Sequence, residues 1–106
     1  MRVVMAEWTT VGTPEDVPEG EMLQVDVRGE PVVVARRDGA LFAFDGYCTH
    51  EECPLWEGEF VEHRVECYCH GSYFDIRSGE ALVGPAVESL TTYPARESDG
   101  AVQIEI

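Results

Sequence analysis

Four cysteines and three histidines hold most of the chemistry this chain could perform. They are concentrated in two short segments, Cys48-Thr49-His50 and Cys67-Tyr68-Cys69-His70, with Cys53 close behind the first. Read as metal ligands the pattern is C-x-H followed by C-x-x-H, so each segment offers one thiolate and one imidazole. Two such loops facing each other can hold a centre with mixed sulfur and nitrogen ligation. A structural zinc ion takes that donor set. So does a [2Fe–2S] cluster with cysteine on one iron and histidine on the other. Zinc fingers usually pair cysteine with cysteine in one segment and histidine with histidine in the next, beside a helix. The alternating order here suits the two-iron centre better, with each loop reaching both irons.

Charge arithmetic separates such a centre from an all-cysteine cluster. Two ferric ions and two sulfides leave two positive charges, which two thiolates cancel, and neutral imidazoles add nothing. Four thiolates would leave the oxidised centre doubly negative. The mixed centre therefore takes up an electron more readily, at a higher potential. That potential is expected to drop with rising pH once an imidazole deprotonates.

Composition removes other classes. The 106 residues suffice for one hydrophobic core, so a single domain over 1–106 is expected. Acidic residues number 21 against 7 basic ones, a net charge of −14 that repels nucleic-acid phosphate and anionic lipid. Every basic residue is arginine, which excludes lysine Schiff-base chemistry. No apolar run is long enough to cross a bilayer, and no basic-then-apolar leader is visible. A cytoplasmic location is expected. All cysteines fall between 48 and 69 rather than along the chain, which favours a metal site over a disulfide framework.

Short strands must position these loops. Met22–Val27 alternates, with Leu23, Val25 and Val27 on one face, and Arg28-Gly29-Glu30 turns the chain into a second strand, Pro31–Arg36. Asp38-Gly39 is a tight-hairpin signal leading into Leu41–Phe44. Asp99-Gly100 joins Leu90–Ala95 to Val102–Ile106 in the same way. Val65–Tyr68 and Tyr73–Ile76 have strand propensity, and Gly79 marks a turn. Only Pro14–Val17 could form a helical turn. The pattern predicts an all-β sandwich or small barrel of roughly eight to ten short strands, with the cysteine-bearing loops inserted between them.

The two ligand segments, the continuation Gly71-Ser72-Tyr73-Phe74-Asp75, and Gly84-Pro85-Ala86 with Leu90 resemble the Rieske family of iron–sulfur proteins. The resemblance spans nearly the whole chain. It implies a Rieske-type sandwich of antiparallel sheets, a small cluster-binding subdomain over residues 46–75 with two ligand loops, and one [2Fe–2S] cluster. Cys48 and Cys67 would ligate the inner iron, His50 and His70 the outer one. In the Rieske subunits of cytochrome bc complexes, cysteines at the places of Cys53 and Cys69 form a disulfide. The resemblance implies the same pair here; two buried free thiols are the alternative. Ser72 matches a serine whose hydroxyl bonds cluster sulfur and raises the potential. The tyrosine two residues further on is replaced by Phe74.

A cluster with saturated protein ligation leaves no position for substrate, and no flavin or nucleotide fingerprint is present. A one-electron carrier is expected rather than an enzyme. The resemblance fits best the ferredoxin of a bacterial aromatic-ring dioxygenase, which passes electrons from an NAD(P)H-dependent flavin reductase to a terminal oxygenase. The alternatives are a small Rieske-like subunit of a nitrite reductase or bc-type complex, and a zinc-stabilised interaction module. Glu51, Glu52, Glu57, Glu59, Glu62 and Glu66, opposed by Arg64 alone, are expected to form an acidic rim that steers the carrier to its partners. A merely solvated acidic surface is the alternative. His63 is expected to be an ordinary surface residue, Trp8 and Trp56 packing residues, and Tyr68 and Phe74 core or cluster cover.

Overall fold

The computed structural model describes residues 7–106 of the expected domain. Val32, Val33, Val34 and Ala35 are buried without exception along strand β3 (Glu30–Arg37). Side chains alternate across a strand, so four buried in a row require cover on both faces. Val32 and Val34 meet Val17, Val27, Ala43, Val102 and Ile104. Val33 and Ala35 belong to another core that includes Phe44, Leu55, Val65, Phe74 and Ile76, with Cys48, Cys53 and Cys67 in its lining. β3 is the wall shared by two cores.

Three antiparallel sheets supply that cover. β3 sits in a central sheet with β2 (Met22–Val27), β4 (Ala40–Asp45) and β9 (Thr92–Tyr93), in the order β2-β3-β4-β9. A second sheet contributes Val102 and Ile104. It has the order β1-β11-β10 and comprises β1 (Trp8–Gly12), β11 (Ala101–Glu105) and β10 (Ala95–Ser98). The third is a meander of β5 (Phe60–Val61), β6 (Arg64–Cys67), β7 (Ser72–Asp75) and β8 (Ala81–Val83), which brings Val65 and Phe74 to the other core. The expected helical turn is a short 3₁₀ segment, Pro14–Asp16. No helix among the described residues is long and apolar enough to cross a membrane.

The expected hairpins form for the expected reason. In Arg28-Gly29, Asp38-Gly39 and Asp99-Gly100 both residues have φ between 51° and 84°. That pair of left-handed residues is the turn whose twist matches its flanking strands. The expected continuous strand Leu90–Ala95 is broken instead. The chain leaves the central sheet after Tyr93 and enters the second sheet at Ala95, with Pro94, which has no N–H to donate, at the crossover. β8 and β9 have only three and two residues, and with such short pieces the strands among the described residues number eleven rather than eight to ten. Tyr93 holds β9 to β4 by donating from Oη to Oδ1 of Asp45 at 2.5 Å. Burial, and then the Asp45 carboxylate, push the Tyr93 phenol above its ordinary range.

Candidate metal centre

The third sheet delivers one ligand loop. β6 ends at Cys67, β7 begins at Ser72, and the two residues face each other in register. Residues 68–71 reverse the chain, closed by the Gly71 N–H donating to the Cys67 carbonyl at 2.9 Å, with Gly71 at φ 78°. The other loop leaves the central sheet after β4 and closes on itself. The Cys48 N–H donates to the Cys53 carbonyl at 3.0 Å and the Cys53 N–H to the Glu51 carbonyl at 2.6 Å. Residues 84–90 join the two: Ala86 N–H donates to Ser72 Oγ at 3.0 Å, and Thr49 Oγ1 donates to the Glu88 carbonyl at 2.7 Å. The Cys53–Cys69 disulfide ties the loops covalently, with Cα atoms 6.5 Å apart, as the resemblance implied.

The four expected ligands are brought together as two pairs of opposite character. Cys48 and Cys67 are free, buried thiols, near enough for Cys48 to act on the Cys67 thiol. His50 and His70 are exposed, their rings edge to face with centroids 5.1 Å apart. Burial pushes the Cys67 thiol up and its Cys48 neighbour adds to the shift, while the N–H groups of Cys69 and His70 pull it down. A bound metal would deprotonate such thiols outright. The residues fit a centre that takes sulfur at an interior end and nitrogen at the surface.

Surrounding residues partly match expectation. Ser72 is fully buried and Phe74 fills the core beside it, whereas Tyr73 lies on the opposite face under Arg64. Ser72 Oγ accepts from Ala86, which leaves the hydroxyl proton to donate elsewhere. Tyr68, expected as core or cover, is 55% exposed, because it projects from the reversal after Cys67. Trp56 packs against Tyr47 with ring centroids 5.8 Å apart. His63 sits at the β5–β6 turn, edge-on to Phe42 and 3.7 Å from the Asp38 carboxylate, away from the ligand loops.

The six acidic residues do not form one ring. Glu51 stands at the histidines, with Oε2 3.6 Å from His70 Nδ1. Glu62 occupies the β5–β6 turn, at the far end of β6 from Cys67. Sequence reasoning missed an apolar component at the tip. Val87, in the loop bonded to Ser72 and Thr49, is 88% exposed. A lone valine in a loop has no periodicity to reveal it.

Comparison with known proteins decides the family. The Rieske [2Fe-2S] domain matches residues 7–94. The chain belongs to that family. Over 99 residues it is 28% identical to the ferredoxin component of the naphthalene 1,2-dioxygenase/salicylate 5-hydroxylase systems of Ralstonia sp., covering 93% of this chain and 95% of the relative. The Sphingomonas yanoikuyae B1 ferredoxin superposes with a TM-score of 0.88 at 31% identity, over 94% of this chain and 99% of that one. A chain of the complex of reduced oxygenase and oxidised ferredoxin in carbazole 1,9a-dioxygenase superposes with a TM-score of 0.87 at 26% identity, covering 92% of each chain. The all-β Rieske sandwich expected from the sequence is the fold observed. Like these relatives, the Rieske protein described here is a ferredoxin, an electron carrier rather than an enzyme.

Proposed function

We propose that this Rieske protein is a cytoplasmic one-electron carrier between an NAD(P)H-dependent flavin reductase and the terminal oxygenase of an aromatic-ring dioxygenase system. The observation that carries the reading is the pairing of two buried thiols with two exposed imidazoles on loops stapled together. Cys48 and Cys67 would hold the inner iron of a single [2Fe–2S] cluster, and His50 and His70 the outer one. The cluster, when bound, supplies one reversible electron.

The chain's own residues do the rest. Buried sulfur on one side keeps water from the inner end, while the imidazoles reach the surface where a partner can touch them. Ser72 Oγ accepts from Ala86, so its hydroxyl proton is free to donate toward the centre and to favour the added charge. Tyr68 and Val87 offer exposed apolar area for docking at the tip. Glu51 and Glu52, exposed in the first loop, add negative charge that favours a positive partner surface.

Reductive titration and reconstitution test this reading. The purified chain should take up one electron with bleaching of its visible spectrum. It should then couple NADH oxidation by such a reductase to substrate turnover by a Rieske oxygenase, more slowly as salt rises. A colourless, folded chain purified from iron-replete cells, or one holding zinc, would overturn it.

A further inference from the structure

The histidine end carries a charged neighbour that electron carriage does not require. Glu51 follows His50 directly and reaches His70 with its carboxylate at 3.6 Å. One ring nitrogen from each histidine and one Glu51 oxygen all lie within 4.8 Å of one another. The backbone keeps the residue that carries this carboxylate beside the second loop. The Glu51 carbonyl accepts from the Cys53 N–H at 2.6 Å, and Cys53 is bonded to Cys69, the residue before His70. The disulfide thus holds Glu51 against the loop that presents His70. Glu52, the next residue, has no ion pair with either histidine among the described residues.

We propose that Glu51 sets the reduction potential of the centre, holding it below the value that the ligands and Ser72 alone would give. The inference rests on the four-ligand reading above. A fixed negative charge beside the imidazoles raises the energy of an added electron, by an amount that falls with distance and with screening. Glu51 and His70 are 58% and 44% exposed, so water and salt reach the charge and weaken it. Ser72 works in the opposite direction from the buried end, where its hydroxyl favours the reduced centre. The chain therefore carries one lever of each sign at opposite ends of the same site.

Voltammetry of the loaded wild type, E51Q, E51K and E52Q at low and high salt tests the proposal. E51Q should have a higher midpoint potential than the wild type, and E51K should rise about twice as far, since it changes the charge by two. E52Q should move less than E51Q, and all gaps should narrow as salt is added. An E51Q potential equal to that of the wild type, or matched by E52Q, overturns the proposal. So does an E51Q that loses the cluster, because Glu51 would then be holding the loop rather than the potential. A wild type that takes up no cluster overturns the four-ligand reading, and with it the role of Glu51.

Discussion

On one face of β3, Val32 and Val34 pack against Val27, Ala43, Val102 and Ile104, and every member of that core is apolar. On the other face, Val33 and Ala35 share their core with Phe44, Val65 and Phe74, but also with three cysteine sulfurs. The first core is complete in itself, closed by sheet-on-sheet packing. The second ends in a thiol pair, a disulfide and two loops held by the bonds of Ala86 and Thr49. One region supplies folding energy; the other converts a rigid wall into a site. Because β3 serves both, it helps to position the loops without contributing a ligand itself.

The sharpest way to separate the regions is Cys67→Ser. Visible absorbance should vanish completely while the far-UV spectrum keeps its β signature; a variant that stays coloured would remove Cys67 from the site. Ile104→Ala tests the converse. It should cost about 2–5 kcal/mol in urea unfolding, leaving the visible spectrum unchanged. Loss of colour in the folded variant would mean the cores are not independent. Next comes Cys69→Ser, which opens the staple between the loops. Stability should fall by about 2–4 kcal/mol, and cluster loss on dilution should quicken. A variant as durable as the wild type would leave the loops held by hydrogen bonds alone.

The smallest effect is expected at β9. Tyr93→Phe removes the bond to Asp45 and should cost about 1 kcal/mol at neutral pH. Burial and Asp45 raise the Tyr93 phenol in the folded state, so folding favours the protonated form. Its contribution is therefore fully present below the unfolded value of about 10 and is lost as pH climbs past it. Urea midpoints at neutral and strongly alkaline pH should fall more for the wild type than for Y93F. Parallel curves would show that Tyr93 does not titrate with unfolding.

Much of this molecule could be read before its structure. Residue pairs such as Asp38-Gly39 fix a turn locally, and the thiols and imidazoles of the ligand segments declare their chemistry by type and spacing. The staple between Cys53 and Cys69 came through family likeness, not through anything local. What stayed hidden depends on distant segments meeting. The break at Pro94 looked like one strand, because only the second sheet makes use of it. Tyr68 sits in a strand-like run, yet the reversal after Cys67 turns it outward. Glu51 was one acid among six until the disulfide set it beside His70.

Pulsed electron paramagnetic resonance of the reduced protein, with histidine labelled by nitrogen-15, tests the mixed ligation most directly. Couplings from two imidazole nitrogens, with one lost in each of His50→Cys and His70→Cys, are the predicted result. A reduced centre showing no histidine nitrogen coupling would contradict it.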